Sequence, residues 1–197
     1  RKLLALFPKN IYLGYTATPF ANIFINPDTA EDMMEDLFPE NFIKSLDAPS
    51  NYFGGERIYV EGNLNAVRII NDHADIIPIT HRIDDHPEIL PESLKTAMKN
   101  YILVCTIRIL RGDKSKHNSM LVNVSRFTGI QSTVKTLIHT YLSEVRDSIR
   151  GYYALNQNEA LQNSVIKELK TLFDTEYSDI EFEWFDVQKK LNTAASK

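Results

Sequence analysis

The chain has 197 residues, enough for one large domain or two small ones, and 43% of them are apolar and 24% charged. This composition excludes a disordered tail, a collagen-like fibre and a low-complexity array, and no apolar run approaches the ~18 residues of a membrane span. The net charge of −4 argues against a protein whose whole surface binds polyanions.

The first part of the chain contains short apolar runs that predict strands. Residues 10–15 form a compact run typical of a buried strand in a parallel sheet, and Pro19 prevents further pairing. Three further runs are possible short strands: 23–25, 58–60 and 76–79. The acidic stretch 29–37 predicts a short surface helix, because its apolar residues recur at helical spacing.

A clear helical pattern follows Pro91, a residue that suits the first turn of a helix. Apolar residues then mark a wide buried face as far as Leu110, and Gly112 predicts the end of the helix. Cys105 lies on this face, so we expect a buried thiol that acts as a small hydrophobe. It is the single cysteine, which excludes an internal disulfide and favours a reducing, cytoplasmic compartment.

The rest of the chain predicts one more strand and two more helices. Residues 120–124 predict a strand, and the apolar residues from Ile130 to Ile149 form one face of a long helix. Asn156 has the spacing of a cap for a further helix over 161–173, whereas 181–191 fits no single period. Strands that alternate with helices predict an α/β architecture.

Charge is distributed unevenly along the sequence. Residues 28–47 contain seven acids and one base, whereas 95–146 contain nine bases and two acids. The basic segment could meet phosphates, or it could be an ordinary solvated surface. The acidic helix around Glu31–Glu40 suggests an alternative function, a non-catalytic interaction module that docks a basic partner.

A cluster of three histidines and four aspartates falls within residues 72–86. Within it, His81, Asp84 and Asp85 are the candidates for catalysis, because histidine and aspartate can bind a metal and histidine can act as a general base. The alternative is a polar loop. No fixed ligand spacing is met, so we predict no metal site here.

Three blocks of sequence, in this order, resemble one known family. They are Leu13–Asn22, which includes Tyr-Thr-Ala-Thr-Pro, then Arg108–Gly112, and His117–Arg126 followed by Gln131. The Thr-Ala-Thr element resembles motif III of superfamily-two helicases. Together the blocks resemble the Z-one domain family, a predicted endonuclease domain found joined to helicase-type ATPases in bacterial defence and modification proteins.

The resemblance implies a fold built from elements of two RecA-like lobes. Residues 1–27 would end the first lobe, 28–90 would form a mixed acidic insertion, and 91–197 would supply a bridging helix and the start of the second lobe. Thr16 and Thr18 would couple the lobes. A first residue of arginine rather than methionine also predicts a fragment of a longer protein.

By the same resemblance, this fragment couples ATP-driven lobe movement to DNA. The residues expected to bind nucleic acid are Ser125, Arg126, Gln131, Arg111, Lys114 and Lys116. From the residues alone, Arg126 could equally form a surface ion pair, and Gln131 could form a capping box with Thr128.

ATP and Mg²⁺ are expected as cofactors of the parent protein only. The fragment has no Gly-Lys-Ser/Thr phosphate loop, so we expect it to be inactive as an ATPase alone and to hold no cofactor. The expected partners are DNA and the remainder of the helicase chain, with no membrane and no small-molecule substrate. Endonuclease activity has only weak support in the residues.

Overall fold

The computed structural model describes residues 6–18, 42–61 and 66–196, and the chain divides into two compact units at residues 66 and 67. Among the described residues, every buried side chain belongs to the second unit, residues 67–197. The hydrophobic core, and any site that needs a rigid scaffold, therefore belongs to that unit.

The first unit is mostly irregular where it is described. Its regular element is a π-helical turn, Glu56–Val60, in which the Glu61 N–H donates to the Glu56 carbonyl at 2.9 Å. Residues 10–15 form no strand, and Ile11 and Tyr15 are exposed. The strands predicted at 10–15 and 58–60 are therefore wrong, while the predictions for 23–25 and 29–37 lie outside the described residues.

The second unit is built from helices. In chain order they are α1 (Glu92–Leu110), α2 (Thr128–Tyr152), α3 (Gln157–Ala160), α4 (Ser164–Glu176) and α5 (Trp184–Ala195). The helices predicted after Pro91 and across Ile130–Ile149 are confirmed. The helix predicted over 161–173 is confirmed from Ser164 onward, because residues 161–163 form a turn. The stretch that fitted no single period contains the start of α5.

Specific residues fix the helix ends. Asp72 accepts hydrogen bonds from the Ser93 N–H at 2.7 Å and the Ser93 hydroxyl at 2.6 Å, so it caps the start of α1 from the preceding loop. These bonds lower the pKa of Asp72. Gly112 follows α1 with φ +97°, a conformation that favours glycine and ends the helix as predicted. The Asn156 side chain caps the short α3 and not the predicted helix over 161–173, whereas Asn163 caps α4.

The core forms where the helices meet. α1 packs along α5, and both contact α4. The largest buried cluster has members from all five helices, among them Leu103, Val145, Ala160, Leu169 and Leu191. A smaller cluster packs Leu90 and Met98 against the first turns of α2, and a third buries Cys105 of α1 against α5. The predicted burial of Cys105 is confirmed.

The α/β prediction, and with it the RecA-like fold, is wrong. No strand or sheet occurs in residues 6–18, 42–61 and 66–196. Residues 76–79 form turns, and 120–124 have no regular secondary structure. An apolar run indicates burial or extension, but a strand also needs a neighbour to satisfy its backbone groups, and none is present here.

The length and hydrophobicity of the helices bear on whether the chain crosses a lipid bilayer. None of those in the described ranges is both long and apolar enough to cross a membrane.

Candidate functional site

The start of α2 brings together several residues that the sequence singled out. Ser125 is buried, two residues before the N-cap Phe127. Its hydroxyl accepts a hydrogen bond from the Phe127 N–H at 3.0 Å, and its carbonyl accepts one from Gln131 Nε2 at 2.6 Å. Gln131 therefore holds the turn before the helix and does not complete a capping box with Thr128, because α2 begins at Thr128 with no side-chain cap.

His81 reaches the same point from the loop before α1. Its Nε2 lies 2.8 Å from Ser125 Oγ, and its Nδ1 lies 2.7 Å from the Pro78 carbonyl oxygen. The ring meets that of Phe127 edge to face, with centroids 5.6 Å apart. Both ring nitrogens are thus engaged, and the imidazole is held in one orientation.

Arg126 is the exposed charge of this site. Its guanidinium lies 4.9 Å from the centroid of the Phe127 ring, a cation–π contact. No carboxylate in the described residues pairs with it, so the ion pair considered from sequence does not form there. From Ser125 onward the next acid is Glu144, and α2 has none in its first turn. Positive charge at this end of the helix is therefore not neutralised by its neighbours.

Lys135 extends the same face of α2. It is exposed, lies one turn beyond Gln131, and has no carboxylate partner in the described part of the chain. From sequence, Lys135 stood out only as one base of the segment 95–146. Its i+4 spacing from Gln131 was the available signal.

Arg111 and Lys116, in contrast, are bound to acids. Arg111 donates from Nε and Nη2 to the two carboxylate oxygens of Glu181, at 2.7 and 2.9 Å. This bidentate bond holds the pKa of Glu181 at about 2 and raises that of Arg111. Lys116 pairs with Asp113 at 2.7 Å and lowers the pKa of that carboxyl. Lys114 lies in the same turn.

The remaining bases near α1 are also paired. Lys95 bonds Glu92, Lys99 bonds Glu168, and Arg108 contacts both Asp113 and Asn118. The basic segment 95–146 therefore does not form one continuous positive face. Its charge is uncompensated mainly at the start and along one side of α2.

The His and Asp cluster of the loop separates in space. Asp72 caps α1, and His81 bonds Ser125, while Asp85 accepts from the Arg82 N–H at 2.7 Å. Asp84 is exposed. No three His, Cys, Asp or Glu side chains converge as a metal site in the ranges that the structure covers.

Two other predicted sites lie in the first unit. Thr16 and Thr18 are exposed, and the Thr18 N–H donates to the Thr16 hydroxyl at 3.0 Å, which forms a local turn. Lobe coupling by these threonines stays a prediction. The acidic helix of the alternative function, Glu31–Glu40, lies outside the described residues.

The helical region that carries the site matches a known family. The model of that family, described as the Z1 domain, matches residues 93–197, just over half of the chain. The chain belongs to the Z1 domain family. Z1 is the Z-one domain family, so the match confirms the resemblance that the three sequence blocks indicated. Searches of curated proteins and of solved structures returned no match.

The Z1 match covers α1 to α5 together with Ser125, Arg126 and Gln131. His81, Thr16 and Thr18 lie outside the matched residues. The contact between His81 and Ser125 therefore joins the Z1 region to the loop that precedes it. Sequence reasoning missed this contact because the two residues are 44 positions apart and no motif links them.

Proposed function

We propose that this Z1 domain chain contacts the phosphate backbone of DNA through the start of α2, as part of an ATP-dependent, helicase-linked protein. The single observation that carries the proposal is Arg126, an exposed arginine without a carboxylate partner among the described residues, beside the N-terminus of a 25-residue helix. ATP and Mg²⁺ would act elsewhere in the parent protein, and this contact would link ATP-driven movement to DNA.

The chemistry of a helix start supports an anionic ligand. Hydrogen bonding within α2 begins with the Gln131 N–H, which donates to the Phe127 carbonyl at 3.1 Å. The N–H groups of Thr128, Gly129 and Ile130 have no acceptor within the described residues. Free N–H groups and the helix dipole favour negative charge at this point.

Arg126 adds a donor suited to phosphate geometry. Its guanidinium can donate two parallel hydrogen bonds to phosphate oxygens, and stacking on Phe127 restricts its motion in advance. Lys135 supplies a second charge along the same helix. Arg111 and Lys116 would contribute less to phosphate binding, because each would first have to break its ion pair with a carboxylate.

The test is filter binding of the 197-residue chain to a short labelled DNA duplex and to the same single strand, over a range of salt concentrations. We expect Arg126→Ala to weaken binding roughly 3- to 10-fold and to reduce the slope of log affinity against log salt by about one, as loss of one phosphate contact does.

Arg146→Ala is the matched control. Arg146 is an exposed arginine on the same helix, without an acid partner among the described residues, and ~27 Å beyond the start of α2 at the usual rise per residue. It removes the same charge from a different place. Equal losses for the two variants, or no loss for Arg126→Ala, would contradict the proposal.

A further inference from the structure

The hydrogen bonds around His81 fix the position of its proton. A carbonyl oxygen can only accept, so the 2.7 Å contact with Pro78 places the proton of the neutral ring on Nδ1. The lone pair of Nε2 then faces Ser125 Oγ at 2.8 Å, and the hydroxyl donates to it. This is the arrangement of a hydroxyl nucleophile, a general base and a group that orients the base.

Both partners are held in place before any substrate arrives. The edge of the His81 ring packs on Phe127 at an interplanar angle of 85°, and the Phe127 N–H fixes the Ser125 hydroxyl. Gln131 fixes the Ser125 carbonyl. Ser125 is 8% exposed, so little of its surface is open to a substrate. A positioned pair of this kind lowers the entropy cost of reaction.

Groups that stabilise negative charge lie beside the pair. Arg126 follows Ser125 directly, and the N–H groups at the start of α2 have no acceptor within the described residues. Such donors stabilise the charge that develops on phosphoryl oxygens during displacement. The nucleophile, the base and the orienting carbonyl therefore meet just before α2, and Arg126 and the first turn of α2 follow directly along the chain.

We propose that Ser125 is a nucleophile for phosphate esters, with His81 as its general base and the Pro78 carbonyl as the group that orients His81. The choice of phosphate esters as the substrate class rests on the proposed function, in which the chain contacts the phosphate backbone of DNA. The nucleophile itself can be tested without DNA.

The reaction balances with water as the second reactant. Ser125 Oγ attacks phosphorus while its proton moves to His81 Nε2, and the bond from phosphorus to the leaving ester oxygen breaks. That oxygen takes the proton from His81 as it leaves. Water then attacks the phosphoserine and gives a proton to His81, and the proton returns to Ser125 Oγ as the Oγ–phosphorus bond breaks. Nothing is oxidised or reduced.

The test treats the 197-residue chain with diisopropyl fluorophosphate and locates the adduct by mass spectrometry of peptides. Attack by Ser125 forms the Oγ–phosphorus bond and expels fluoride, while the proton passes through His81 to solvent. We expect one modified serine, Ser125, and none in Ser125→Ala. We expect His81→Gln, which keeps a hydrogen-bonding side chain but is a far weaker base, to label at least ~10-fold more slowly.

His86→Phe is the matched control. His86 is an exposed histidine near the same helix start, where its Nδ1 lies 3.4 Å from the Thr133 hydroxyl oxygen. Its loss should leave the labelling rate unchanged. Circular dichroism of each variant checks folding, and His81→Ala replaces His81→Gln if the latter does not fold.

Two results would contradict the proposal that Ser125 is a nucleophile. One is the absence of an adduct on Ser125 in the folded chain, and the other is an equal labelling rate with and without His81. Failure of the proposed DNA binding can be distinguished from failure of the proposed nucleophile. If Ser125 is labelled but the chain does not bind DNA, the nucleophile stands and a nucleic-acid substrate is excluded. If DNA binds through Arg126 but Ser125 is inert, only the nucleophile is excluded.

Discussion

Lys99 shows how one buried charge is accommodated in a helical core. Its side chain is 9% exposed on α1, and Nζ donates to Glu168 of α4 at 2.6 Å. Burial lowers the pKa of Lys99, but the hydrogen bond to Glu168 and the electrostatic interactions with Tyr141 and Glu168 outweigh burial, so the pKa is raised. The ammonium stays charged because its partner is present.

Glu168→Gln should therefore destabilise the fold. The substitution leaves a buried ammonium without its counter-charge, which costs several kcal/mol in a dry interior. Because Glu168 is 54% exposed, solvent screens part of this cost. We therefore expect the free energy of unfolding to fall by about 1–2 kcal/mol. Urea unfolding followed by circular dichroism measures the loss.

Asp174→Asn on the same helix is the control for Glu168→Gln. Asp174 pairs with Lys170 at 2.5 Å in an exposed i, i+4 arrangement, which contributes only about 0.3–0.5 kcal/mol. Equal losses for the two variants would show that burial of Lys99 has no energetic consequence.

The residues of the candidate site were predictable only in part. Ser125 and Arg126 stand at the junction of an apolar run and a helix, a local feature that the sequence displays. His81 was grouped with the aspartates of its own loop, because sequence distance was the only guide. The fold separates it from them and joins it to Ser125 instead.

At the scale of elements, helices were predictable and strands were not. The apolar spacing that defines α1, α2 and α4 is local, so each helix can be found from its own residues. Strand formation depends on a partner elsewhere in the chain. Residues 120–124 have the composition of a strand, but no strand forms there in the described residues.

The pair of Arg111 and Glu181 links two elements and predicts a pH dependence. Arg111 is the C-cap of α1, and Glu181 lies just before α5. In the folded chain the pKa of Glu181 is about 2, below its ordinary value of 4.5, so folding favours the ionised carboxylate. The stabilisation is complete above about pH 4.5 and is lost as pH falls towards about 2.

Thermal unfolding of the chain and of Glu181→Gln tests this link. We expect the variant to melt at a lower temperature near pH 6, and we expect the difference to shrink as pH falls towards about 2, where the wild-type carboxylate also becomes neutral. Glu88→Gln, at an exposed loop residue, should melt like the wild type throughout. A difference that stays constant with pH would contradict the link.

At the scale of the whole molecule, the distribution of charge along the sequence did not predict the distribution of charge on the folded surface. Nine bases within 95–146 suggested a basic face, yet five of them, Lys95, Lys99, Arg108, Arg111 and Lys116, bind carboxylates. Two of those acids, Glu168 and Glu181, come from far beyond the segment, and only the fold brings them close. The uncompensated charge is therefore local, at α2, and a DNA contact would be correspondingly small.

The position of Trp184 gives the molecule an intrinsic optical reporter. It is the single tryptophan, it is 4% exposed, and its ring lies 5.7 Å from that of Phe173 within the largest cluster. An indole shielded from water emits at shorter wavelength than one in solvent. Emission excited at the indole band should therefore shift to the red when the five helices separate, and should stay unchanged when a ligand binds without disturbing this cluster.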